Sequence, residues 1–203
     1  MKKQILVNIG SNYLLSFVGM ALGFLLVPFL IGKLGPDAYG LTVLAEATVA
    51  FFEILTISVR IALSRQATVS LSKNELDRFV EYLSTGRAIL YISASIVFAL
   101  GLFVSVNFTH FFQVPARLGF DSRILFFLVS LAFTISIPNI IFWSVLYARQ
   151  RFDLINSSMS VGLVMRAVCL FVYYSWAPKA YQTLTAYGII YLIMIFSQNY
   201  MIY

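Results

Sequence analysis

The sequence predicts an all-α protein, a polytopic membrane helix bundle with six transmembrane helices. Two observations carry that expectation. The 203-residue chain is 61% hydrophobic and only 11% charged, where soluble domains hold about 25% charged residues. Six mainly apolar stretches, at about 5–31, 39–64, 88–109, 123–147, 154–176 and 181–203, each reach the roughly 20 residues that cross a bilayer. They use most of the chain, so 1–203 reads as a single six-helix transmembrane domain with no separate soluble unit.

The first run is too long for a signal peptide and lacks a small-residue cleavage site after a short core, so it is read as a retained span. It stacks Asn8, Asn12 and Ser16 on one face at four-residue spacing. Gly19 and Gly23 follow with the small-xxx-small spacing that lets helices approach closely. The amides read either as packing contacts or as the lining of a polar cavity. Pro28 lacks the backbone donor of a helix interior and is a hinge candidate. Gly32 to Asp37, with Gly35-Pro36 inside it, reads as a tight polar turn.

The second run is interrupted by Glu46, Glu53 and Arg60 at seven-residue spacing. Seven residues turn a helix by about 700°, so the three share one stripe. Counted from Ala38 at 1.5 Å per residue, Glu46 lies roughly 12 Å in and Glu53 roughly 22 Å in. Arg60, near the end of the run, is also placed to snorkel toward the interface. Ser72 and Glu75 read as a capping box. Leu76, Phe79, Val80 and Leu83 then follow amphipathic spacing opposite Lys73, Asp77, Arg78 and Glu81. That pattern predicts an amphipathic cytoplasmic helix at about 72–86 lying on the membrane surface, with Gly86 at the bend into the third span.

Pro115 and Gly119 break the return at 110–122, and His110, the only histidine, has no companion with which to build a metal site. Pro138-Asn139 lies deep in the fourth span: Pro138 is a second hinge candidate, and Asn139 is placed to satisfy a freed backbone group. Arg149 and Arg151 in the compact link 148–153 read as topology determinants or contacts to lipid headgroups. Cys169, the only cysteine, reads as a small packing residue in the fifth span.

The net charge is +6, but the basic residues sit in short connections rather than on one solvated face, which argues against nucleic acid as a partner. With the N-terminus inside, the cytoplasmic side collects Lys2, Lys3, Arg65, Lys73, Arg78, Arg87, Arg149 and Arg151. Lys33, Arg117, Arg123 and Lys179 fall on the other side. This bias follows the positive-inside rule and places both termini of a multi-pass protein in the cytoplasm.

Arg166 falls near the middle of the fifth run. A charge at such depth in hydrocarbon costs roughly 3 kcal/mol or more, so Arg166, Glu46 and Glu53 should face a protein interior or a wet cavity. Either they pair with one another as buried ion pairs, or they line a route for a polar substrate. Enzyme chemistry has little to build on: the sequence holds no nucleotide loop, no Cys or His cluster and no Gly-x-Ser-x-Gly elbow. Asp37, Asp121 and Asp153 stand singly, far apart. No cofactor is expected. Charges at membrane depth together with helix breakers are parts a transporter needs.

Val27-Pro-Phe-Leu-Ile-Gly-Lys-Leu-Gly-Pro-Asp-Ala-Tyr-Gly-Leu41 resembles the polysaccharide (O-antigen, Wzx-type) flippases of the multidrug/oligosaccharidyl-lipid/polysaccharide exporter superfamily. Leu146-Tyr-Ala-Arg-Gln-Arg-Phe-Asp-Leu-Ile-Asn156 is similar to that family's link between helices four and five. The resemblance runs from residue 1 to about 175. It implies transport of an undecaprenyl-pyrophosphate-linked oligosaccharide between membrane leaflets, by alternating access between two lobes of about six helices each. By that resemblance Arg166 and Arg60 would neutralise pyrophosphate or acidic sugars. Glu46 and Glu53 would bind a coupling proton or sodium, or act as counter-charges. Six helices correspond to the N-terminal lobe alone, so a second lobe or a homodimer is implied as partner. The rival expectations are a cation-coupled multidrug or metabolite exporter of the same superfamily, and a non-transporting assembly subunit or truncated lobe.

Overall fold

A computed structural model describes residues 2–179 and 183–200. These residues are almost entirely helical. Helix α1 spans Lys2–Leu34, α2 Pro36–Ser72, α3 Leu76–Val106, α4 Phe108–Phe111, α5 Gly119–Ser136, α6 Ile140–Ala148, α7 Phe152–Trp176 and α8 Leu184–Tyr200. Five helical segments are long and apolar enough to cross a membrane: α1, α2, α3, the run Ala116–Ala148 and α7. The sixth, α8, is apolar but shorter. Residues 181, 182 and 201–203 of the sixth predicted span lie outside the described residues.

The joints follow from local chemistry. A single residue, Gly35, separates α1 from α2; its φ of +85° is a left-handed conformation that favours glycine. Its N–H closes α1 on Ile31 O at 2.9 Å, and Pro36 starts α2 at a position where no amide donor is needed. The polar turn expected over Gly32–Asp37 is therefore compressed to one residue.

The link between α2 and α3 departs from the expected surface helix at 72–86. Helix α2 runs on to Ser72, and Leu76–Val106 is one continuous helix. The chain reverses through Asn74 at φ 57°, with Glu75 N–H bonded to Ser70 O at 3.0 Å and Lys73 N–H to Val69 O at 3.1 Å. This closure is of the kind that ends helices on a left-handed residue. Ser72 Oγ donates back to Val69 O instead of capping α3. Because the turn is so tight, α3 runs back along α2, and Gly86 sits mid-helix where a Cβ would strike Leu63. At 37 and 31 residues, α2 and α3 are about 55 and 46 Å long, against a hydrocarbon core of about 30 Å. The hairpin therefore extends past the bilayer.

Pro138 interrupts the fourth span with a 3-10 turn over Ile137–Asn139, and Asn139 turns its amide back to Ile135 O at 3.4 Å. Pro28, by contrast, sits inside an uninterrupted α1. Two clusters form the core. One joins α2, α4, α5, α7 and α8 around Ala45, Phe108, Phe126, Leu170 and Tyr174; the other joins α2, α3 and the 3-10 turn around Leu63, Leu90, Val97 and Ile137. Helix α8 rests mainly on α5, where Gly188 meets Leu128. Helix α1 is peripheral. It packs along α7 and touches α2 sparingly, so a cleft opens between α1 and α2. Cys169 is exposed on α7 rather than packed.

Candidate functional site: a charged cleft between α1, α2, α7 and α8

The cleft has a volume of about 640 Å³ and mostly apolar walls. Leu30 and Tyr39 line the end nearest Gly35, where Leu30 is buried. Gly19 and Gly23 also line it, and a Cβ on either would meet nothing within 4 Å. The expectation that these glycines bring two helices together is thus corrected: they widen a gap. Small residues on the facing wall, Ala47 and Ala50 of α2, add to the opening.

Glu46 from α2, Arg166 from α7 and Tyr187 from α8 converge on this cleft. Arg166 Nη2 donates to Glu46 Oε1 and to Tyr187 Oη. The Tyr187 hydroxyl donates to the same Glu46 oxygen at 2.6 Å. The guanidinium carbon also lies 5.3 Å from the Tyr187 ring centroid and 4.7 Å from that of Tyr191, one helical turn later. Side-chain exposure is 18% for Arg166 and 30% for Glu46, so the pair borders the cleft without being sealed from it. Only Nη2 of Arg166 is engaged among the described residues. Of its five N–H groups, those on Nε and Nη1 reach no acceptor there, and neither does Glu46 Oε2 reach a donor. The site is charge-balanced at rest and keeps donors and one acceptor for a ligand.

Glu53 and Arg60 are not part of this cluster. They pair with each other along α2 at 3.1 Å, both roughly half-exposed. Their face is nevertheless that of the cleft, since 39, 43, 46, 50, 53, 57 and 60 advance by three or four residues along one stripe. The polar stripe read from the sequence therefore continues past the cleft toward the α2–α3 turn.

Asn8 and Asn12 lie elsewhere. Asn8 Oδ1 accepts from Asp153 N–H at 3.2 Å and from Gln4 Nε2 at 3.1 Å, while its Nδ2 donates to Gln150 O at 3.0 Å. Asn8 thus serves α7 as a cap supplied by another helix, satisfying an amide that α7 cannot satisfy itself. Asn12 lines a separate groove between α1 and the α6–α7 link. Tyr187 and Tyr191 were not singled out in the sequence. Their signal was two hydroxyls four residues apart in an apolar run, each of which needs a partner when buried.

The chain is 22% identical over 182 residues to a Bacillus subtilis (strain 168) protein described as an uncharacterized membrane protein, EpsK. The similarity covers 87% of this chain and 35% of that protein, so the chain spans about a third of the relative's length. No family model matches the chain, and no solved structure matches it. Helix lengths, hydropathy and this similarity together define a multi-pass membrane protein.

Proposed function

We propose that this chain forms the N-terminal lobe of a membrane transporter, not an enzyme, that moves an undecaprenyl-pyrophosphate-linked oligosaccharide across the bacterial plasma membrane. Both termini lie in the cytoplasm in this reading. The observation that carries it is Arg166, a guanidinium at membrane depth whose Nε and Nη1 donors remain open to a cleft. A guanidinium matches phosphate oxygens bidentately. Glu46 offsets its charge when no cargo is present, and an arriving pyrophosphate competes with that carboxylate. Tyr187 and Tyr191 hold the guanidinium in place during the exchange. The apolar wall of Leu22, Leu26, Val43 and Leu163 suits the polyprenyl portion. A second lobe or a second copy supplies the opposite wall of the route.

The test uses cells that lack their own flippase, with surface glycan labelled and protein level followed by immunoblot. Arg166→Gln should lower export tenfold or more at unchanged protein level. Undiminished export overturns the proposal. A second reading, a cation-coupled exporter of drugs or metabolites, is favoured by the free Oε2 of Glu46 at the cleft, a place for a proton or sodium. Drug resistance without glycan rescue, abolished by Glu46→Gln, would select it.

A further inference from the structure

A groove of about 340 Å³ runs between α2 and α3, and only these two helices line it. It lies on the side of the hairpin turned away from the core: Leu90, Ala94 and Val97 of α3 are buried on the other side, while Ile89 and Ile92 are exposed. Its depth comes from small residues at the helix crossing, Ala62 on α2 and Gly86 on α3.

The height of the groove in the bilayer follows from counting. Hydrocarbon takes up about 20 helical residues. Counted from Ala38 of α2 and back from Val106 of α3, it ends near Ser58 and near Arg87. The two levels agree to about one helical turn, because Gly86 stands against Leu63. The groove thus straddles the boundary between hydrocarbon and headgroups, and its lining changes across that boundary. Val59, Ala62 and Ile89 make the hydrocarbon end apolar. Gln66, Thr85 and the Tyr82 phenol line the headgroup end and make no hydrogen bond to the described residues. Nearby hydroxyls turn back on their own helix, as Thr68 does to Ser64 O at 2.7 Å and Ser93 to Ile89 O at 2.9 Å. The Thr85 hydroxyl is left for something outside the fold.

Charge narrows what fits. Arg65 follows Ala62 by three residues and Lys73 follows Gln66 by seven, so both share the groove face of α2. Both are exposed, and neither forms an ion pair among the described residues. On α3, Arg78 stands one turn before Tyr82 and is held by Glu75 at 3.2 Å. Glu81, beside Tyr82, is the other carboxylate on this face. Arg65, Lys73 and Arg78 outnumber Glu75 and Glu81, so the headgroup end favours an anion. An alkyl chain below and a hydrogen-bond-accepting anion above describe a phospholipid.

We infer that this groove binds one anionic phospholipid of the leaflet on the side of the α2–α3 turn. An acyl chain lies between Val59, Ala62 and Ile89, and Arg65, Gln66, Tyr82 and Thr85 hold the phosphate. The lipid is a resident of the bilayer and not a cargo, and its site depends neither on the Arg166 cleft nor on any direction of transport.

The test uses the full chain in phosphatidylcholine nanodiscs with a trace of phosphatidylglycerol carrying a photoreactive group in one acyl chain. Crosslinks mapped by mass spectrometry should concentrate on Val59, Ala62 and Ile89 rather than on Ile92. Unlabelled phosphatidylglycerol should compete about fivefold better than added phosphatidylcholine, and Arg65→Gln should remove most of that advantage. Ala62→Phe, which fills the groove, should lower crosslinking tenfold or more, while Ile92→Phe on the same outward face leaves it unchanged. An unchanged melting temperature verifies that each variant folds; should Ala62→Phe fail that check, Arg65→Gln decides. Arg166→Gln should leave the crosslinks in place, so this result is separate from any effect on glycan export. Crosslinks spread evenly over the outward face, equal competition by the two lipids, or an advantage that survives Arg65→Gln overturns the inference.

Discussion

At the scale of single residues, depth and charge made half of the site legible. Glu46 and Arg166 stood out because an ionised group inside an apolar run demands a partner, and the structure brings the two together. Which carboxylate Arg166 would meet was not legible, because helix neighbours are not written in hydropathy. Glu53, equally conspicuous, went to Arg60 on its own helix. The tyrosines stayed hidden because they are neutral and their rings suit an apolar run. The two ion pairs should behave differently. In lipid, a double-mutant cycle of Glu46→Gln and Arg166→Gln should give a coupling of about 1–3 kcal/mol, as befits a mostly enclosed contact within one network. The cycle of Glu53→Gln and Arg60→Gln should give less than about 1 kcal/mol, because both groups are half-exposed and water screens them. A large coupling at Glu53–Arg60 would place that pair in lipid and not beside water. Unfolding equilibria of the single and double variants measure both.

At the scale of elements, span positions were readable from length and apolarity, whereas the identity of joints depended on backbone detail. The amphipathic stretch after Ser72 is real, but it is the start of the continuous helix α3: Phe79 and Leu83 are half-buried, while Leu76 and Val80 stay exposed. Asn74 in the left-handed region is the physical cause of that start, since it turns the chain in three residues. Glycines show the same ambiguity. The spacing of Gly19 and Gly23 suggested contact, while Gly101 carried no such pattern; yet Gly101 is the one against which α5 packs, with Ser130 Cβ 2.8 Å from where a Cβ would stand. Gly101→Ala should therefore force α3 and α5 apart and destabilise by about 1–3 kcal/mol. Gly23→Ala meets open space and should be neutral or stabilising by up to about 1 kcal/mol through helix propensity. Thermal unfolding in detergent compares them directly, and equal losses at the two positions would mean that the α1–α2 gap is closed.

At the scale of the whole molecule, the bundle sets one charged cleft into an apolar body, and only water access distinguishes a route from a fold-stabilising network. Helix α2 makes that test possible because it turns three faces to three surroundings. Ala45, Val49 and Thr56 are buried in the core. Ala47 and Ala50 border the cleft, and Ile57 lies two further steps along the same stripe as Ala50, beyond Glu53. Phe51 and Leu55 project outward, about a third to half a turn away. Single cysteines at these positions, in a Cys169→Ala background, can be probed with a charged, membrane-impermeant thiol reagent that needs water and thiolate to react. Ala50→Cys and Ile57→Cys should label, at least tenfold faster than Phe51→Cys and Leu55→Cys, because the reagent can follow the stripe of Glu46, Glu53 and Arg60 but cannot enter lipid. Prior addition of a pyrophosphate-bearing polyprenyl lipid should protect Ala50→Cys, which lies one turn from Glu46, more than Ile57→Cys. Equal labelling around the helix would mean that α2 is surrounded by water or loosely held. Labelling of none would mean a dry cleft, in which case Glu46, Arg166 and Tyr187 hold helices together and carry nothing.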